Sequence, residues 1–75
     1  MIQELDRVVL KRRMEEFKLE PGDVGTVVLV HDGGNGFEVE FVTLGGATVA
    51  VATVSGDDVR AIRHNEIANA RGVVA

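Results

Sequence analysis

Glycine clusters cut the chain between Pro21 and Asp58 into short runs, and side chains inside those runs alternate in polarity. Pro21-Gly22-Asp23, Asp32-Gly33-Gly34-Asn35-Gly36, Gly45-Gly46 and Ser55-Gly56-Asp57-Asp58 are turn chemistry. Proline presets φ, glycine accepts φ > 0, and Asp, Asn and Ser bond their own backbone. The runs between these turns are too short for a helix to sustain itself. The clearest is Phe37-Glu38-Val39-Glu40-Phe41-Val42. Phe37, Val39 and Phe41 share one face and Glu38 and Glu40 the other, the period-2 signature of a half-buried antiparallel strand.

The same reading predicts five strands: Arg7 to Lys11, Val24 to Val30, Phe37 to Val42, Ala47 to Val54, and Val59 to Arg63. Gly25 inside the second predicts a bulge or a close approach by another backbone, as a tightly curled sheet requires. The charged stretch Arg12 to Lys18 reads as a loop or single helical turn, with Phe17 and Leu19 as a lid on the core. Residues 64 to 75 carry little pattern and read as a helical turn around Glu66 to Ala70 or as an extended arm. The fold class expected is all-β, a small five-stranded barrel with a short C-terminal arm or helical turn, in one domain over residues 1–75.

With 75 residues the chain buries a smaller share of its surface than a larger protein, and without cysteine it has neither disulfides nor thiolate metal sites to reinforce it. The opening Met1-Ile2-Gln3-Glu4-Leu5-Asp6 is acidic where a signal peptide is basic, and no apolar run approaches the roughly 20 residues of a membrane span. The expectation is a cytoplasmic protein.

The net charge of −4 is unevenly distributed. Residues 21 to 58 hold Asp23, Asp32, Glu38, Glu40, Asp57 and Asp58 and no Lys or Arg, whereas Arg60, Arg63 and Arg71 outnumber Glu66 near the end. Non-specific nucleic-acid affinity comes from Lys and Arg neutralising phosphates, so the acidic middle favours a basic protein partner and makes nucleic acid a poor fit. Glu38, Glu40, Asp57 and Asp58 are the charged candidates for meeting such a partner.

Catalytic chemistry is thinly represented. There is one serine, Ser55, in a turn, with neither cysteine nor tyrosine. His31 with Asp32 is a conceivable general-base couple, and His31, Asp32, His64 and Glu66 a conceivable metal set, but an exposed histidine opening a hairpin is the plainer reading of each. Gly33-Gly34-Asn35-Gly36 lacks the Lys-Ser/Thr of a phosphate loop. No catalytic residue, metal or cofactor is therefore assigned.

Thr48-Val49-Ala50-Val51-Ala52-Thr53-Val54 has no charge on either face. An exposed strand of this kind invites aggregation, so cover is expected over Thr48, Ala50, Ala52 and Val54. The C-terminal arm, through Ile67, Ala70, Val73 and Val74, is one cover. A second subunit or a partner is the other, which makes Thr48, Ala50 and Ala52 interface candidates and this strand a route to homo-oligomers.

The runs Glu4-Leu5-Asp6-Arg7-Val8-Val9-Leu10, Pro21-Gly22-Asp23-Val24-Gly25-Thr26-Val27-Val28 and Phe37-Glu38-Val39-Glu40-Phe41-Val42 resemble a family of small bacterial proteins, domain-of-unknown-function family 4926. Thr48 to Thr53 and Glu66 to Arg71 look like that family's later segments. Gly22-Asp23-Val24-Gly25-Thr26-Val27 is also similar to the second strand of SH3-like barrels, including KOW modules and the nitrile hydratase small subunit. These resemblances imply an SH3-like barrel and a paired role, as an antitoxin- or immunity-like or regulatory partner of another protein. The function expected is thus a protein-binding module without catalysis. Its alternatives are an accessory subunit of an enzyme and a KOW-like nucleic-acid-binding barrel using Arg12, Arg13, Arg60 and Arg63. A fold of this kind hosts many activities and fixes none.

Overall fold

The five predicted strands all form, and the turns fall where the glycines lie. In the computed structural model, which describes residues 1–73, they are β1 (Arg7–Leu10), β2 (Val24–His31), β3 (Gly36–Val42), β4 (Thr48–Ser55) and β5 (Val59–Ala61). All neighbours are antiparallel in one sheet of order β4-β3-β2-β1-β5. The ladders begin at β4 and stop at β5, and no ladder joins these two edges among the described residues. The sheet instead wraps one core through its side chains: Val8 and Leu10, Val27, Phe37, Val39 and Phe41, Ala52 and Val54, and Val59 meet from all five strands.

Two bends make this wrapping feasible. In the β2–β3 ladder the register shifts between Val27 and Leu29, so Val28 is the extra residue of a bulge and the sheet twists there. A second shift lies between Phe41 and Val42 against β4. Gly25 is not the bulge. It supplies the close approach, since a Cβ placed on it falls 2.5 Å from Val39 Cγ1 and 3.0 Å from the Glu40 carbonyl oxygen and Phe41 Cδ1. Turn residues behave as their chemistry requires, with Gly33, Gly34 and the preceding Asp32 all at positive φ in the β2–β3 connection.

The loop after β1 is a small hairpin of its own. Met14 and Leu19 exchange both backbone hydrogen bonds, at 3.0 and 3.1 Å, around a single 3-10 turn, η1 (Glu15–Phe17). This turn lies against β4. The expected lid is half right. Leu19 is buried, but its companion is Met14, while Phe17 remains 36% exposed. Alternation explains the exchange: across the Met14–Leu19 pair both side chains point the same way, into the core.

Strand β4 departs from expectation. It is covered on one face only, with Ala50, Ala52 and Val54 inward and Val51, Thr53 and Ser55 outward. Without charges, the sequence carries no mark to distinguish the two faces, and cover on both was the wrong inference. The C-terminal segment does not supply it either. Beyond β5 there is a turn at His64-Asn65 and then no regular element through Val73, so it is an arm and not a helical turn. Ile67 on it is 93% exposed and Ala70 is exposed. Val74 lies outside the described residues.

The arm is anchored instead at the β5–β1–β2 side of the sheet. Arg60 donates to Glu66 at 2.8 and 2.5 Å, and Glu66 also accepts from the Arg63 N–H at 2.7 Å. Further on, the Arg71 guanidinium bonds the Asp23 carboxylate, at the start of β2, and the Lys18 carbonyl oxygen. The path thus doubles back over the outer face of β1. Val9 reports it: flanked by Arg60 and Val24, it points away from the core cluster, yet it is only 8% exposed.

Candidate functional site

The outer face of β2, β3 and β4 is the part of the sheet that the arm leaves open. Alternation sends Glu38 and Glu40 of β3 onto it, and the ladders set their neighbours. Glu38 lies between Leu29 on β2 and Thr53 on β4, and Glu40 lies between Thr26 and Val51. The Val28 bulge adds an apolar residue beside this row, so Val28 and Leu29 are both exposed, as is Val51 at 50%. The result is a face with two carboxylates set among exposed aliphatic side chains.

Glu38 is held in place. His31 Nε2 lies 2.7 Å from Glu38 Oε2, and the Thr53 hydroxyl donates to the same carboxylate at 2.7 to 2.9 Å. The His31 contact first, and the Thr53 hydroxyl second, hold the Glu38 carboxyl below its ordinary pKa, so it remains ionised at neutral pH. Glu40 has a looser neighbour, the Thr48 hydroxyl at 3.4 Å. His31 is consequently engaged with Glu38 and not with Asp32, which occupies the following 3-10 turn. Nor are His31, Asp32, His64 and Glu66 gathered: Glu66 is taken by Arg60, and no group of three His, Asp or Glu suited to a metal ion occurs among the described residues.

The acidic middle is less acidic in space than in sequence. Arg71 sits on Asp23, and Arg12 Nε donates to Asp58 at 2.8 Å. Asp58 also accepts from the Ser55 N–H at 2.9 Å, tying the β4–β5 turn. Arg12 and this backbone donor outweigh burial and lower the Asp58 pKa. Asp58 is therefore a structural carboxylate, whereas Asp57 beside it is exposed and Asp32 and Glu40 have no ion-pair partner among the described residues. Of the interface candidates on β4, Thr48 lies at the surface, but Ala50 and Ala52 turn their side chains into the core and present none on this outer face. Leu29 and Val51, which the sequence reading did not single out, take their place. The bulge at Val28 and the inward parity of β4 had no signature in composition.

A family model described as domain of unknown function (DUF4926) matches residues 4–61. The chain belongs to the DUF4926 family. Neither the curated proteins nor the solved structures include a match to it. The DUF4926 match spans all five strands and the acidic face, and it ends at Ala61, before the arm that Arg71 ties to Asp23. No helix of the described residues is long and apolar enough to cross a membrane.

The arm gives a prediction of its own. Glu66 is lowered to a pKa of about 2 by Arg60 first and the Arg63 N–H second. At Asp23 burial pushes the carboxyl up, but the Arg71 guanidinium and the Glu20 N–H outweigh it, and the net shift is downward. An unfolded or released Glu titrates near about 4.3. A depressed folded-state pKa contributes stability above the free value and loses it as pH falls, so the arm stays anchored at pH 5 and is released as pH falls from about 4.3 toward 2. Amide signals of residues 63 to 71 followed by NMR should collapse to random-coil shifts in that window, before the sheet signals move, and Glu66→Gln should release the first anchor at neutral pH. Arm signals that change only with the sheet would contradict this.

Proposed function

We propose that this DUF4926 protein is a binding module whose outer β2–β3–β4 face docks a protein with a basic and apolar surface. Glu38 and Glu40 form the charged centre, Leu29 and Val51 the apolar flanks, with Thr48 opening β4 and Asp57 in the turn that follows it. The single observation that supports this most is Glu38: a carboxylate kept ionised and fixed by His31 and Thr53 on a face bearing exposed aliphatic side chains. Such a group attracts cations without having to be ordered on binding, and the aliphatic neighbours add burial once contact is made. The role fitting this face is an antitoxin-like, immunity-like or regulatory partner of another protein, acting in the cytoplasm and without catalysis.

The test is retention of a partner by the tagged full-length chain at native abundance, compared with the double variant Glu38→Lys/Glu40→Lys. Both positions are half-buried on the outer face and outside the core, so the variant should fold, as circular dichroism will show. Wild type should retain a basic protein at low salt and release it progressively as salt screens the contact. Equal retention by the variant, or retention indifferent to salt, would overturn the reading.

A further inference from the structure

The two edges of this sheet are built differently. β5 is three residues long, carries Arg60 at its centre and is followed by the arm that folds back from it. Shortness and charge are the ordinary means of keeping a sheet edge from recruiting another strand. β4 has neither. Thr48–Ser55 is eight residues with no charge and no proline, and it pairs with β3 on one side only. η1 lies against it, but its backbone bonds are local, from Phe17 N–H to the Met14 carbonyl and from Lys18 N–H to the Glu15 carbonyl. Among the described residues no backbone bond occupies the outer edge of Thr48–Val54.

We propose that β4 pairs antiparallel, edge to edge, with β4 of a second copy of this chain, about a two-fold axis at Ala52. Parity fits this register. Inward residues must oppose inward ones, and the axis sets Ala50 of one copy opposite Val54 of the other, and Val51 opposite Thr53, with inward and outward faces matched throughout. The side chains beside the axis are small or β-branched, suited to close backbone approach. Charge permits it as well. Glu38 and Glu40 lie on β3, so the two copies' carboxylates are three strand spacings apart, about 14 Å. That exceeds the roughly 8 Å over which exposed charges act at physiological ionic strength. A second copy is favoured over a basic strand of another protein because this edge offers such a strand no carboxylate of its own.

The pairing runs along the backbone edge of β4, beside the docking face whose Val51 and Thr53 it borders, and its test reads mass and not partner retention. Sedimentation equilibrium on the full chain from micromolar to millimolar concentration should show 8.0 kDa rising toward twice that value. Val51→Lys and Thr53→Lys each place a charge on the edge at an exposed position and should remain 8.0 kDa with an unchanged circular dichroism spectrum. In the Ala52-centred register, Val51 of one copy faces Thr53 of the other, so mixing Val51→Lys with Thr53→Glu should restore the doubled mass. A wild-type chain that stays monomeric at millimolar concentration overturns the proposal. So do a dimer undiminished by both lysine variants and a Lys–Glu mixture that does not associate.

Discussion

Gly25→Ala is expected to destabilise the domain by about 1 to 3 kcal/mol, although alanine is ordinarily the mildest of replacements. The added methyl lands 2.5 Å from Val39 Cγ1, inside any real carbon–carbon contact, and 3.0 Å from the Glu40 carbonyl and the Phe41 ring. None of these yields easily. Val39 is fully buried and stiff at χ1, Phe41 is buried beside it, and the carbonyl belongs to a paired strand. For a chain of this size each kcal/mol moves the thermal midpoint by about 4 to 8 °C. Calorimetry on Gly25→Ala, Val39→Ala and the double variant decides the cause. If the clash is responsible, Val39→Ala makes room for the methyl and the double variant loses less than the two single losses added together. Additive losses would place the cost of Gly25→Ala elsewhere than in contact with Val39.

Phe41→Ala is expected to cost more, about 3 to 5 kcal/mol, as truncation of a buried aromatic ring leaves a cavity that paired strands cannot close. Small domains hold only about 5 kcal/mol in total, so this variant should be largely unfolded near physiological temperature. Val42→Ala, one residue later on the half-exposed face, should change stability by less than about 1 kcal/mol. Denaturant titration of the two side by side checks the assignment of faces. Comparable losses would mean that β3 does not divide inside from outside as described.

β3 was the most legible part of the chain because its charges name the outer face. Phe37, Val39 and Phe41 could only be core once Glu38 and Glu40 were set outward, and the flanking glycines fixed where the strand began and ended. β4 shows the converse. Its bounds could be read, but Thr, Val and Ala tolerate either side of a sheet, so only the Ala52↔Val39 and Val54↔Phe37 pairings reveal which face is buried. Met14 was missed because its partner across the small hairpin is Leu19, a contact set by a local backbone exchange and not by spacing along a strand. The arm was the least legible. Arg71 reaches Asp23 across 48 positions, and neither residue's neighbours hint at the other. The proposed docking face was legible in its carboxylates and not in its flanks, which depend on one extra residue at Val28.

The contrast between the two sheet edges also limits how far this protein can assemble. A fibre needs subunits with two reactive ends, so that each addition leaves one exposed. Here one end of the sheet is available and the other is blunted by a short strand, an arginine and a folded-back tail. Under the proposed pairing a subunit of this kind would be monovalent: joining at β4 would consume the one long edge left without a backbone partner among the described residues, and growth would terminate at the pair. Trimming the arm while substituting Arg60 would give the molecule a second valence, the condition under which a pair turns into a polymer.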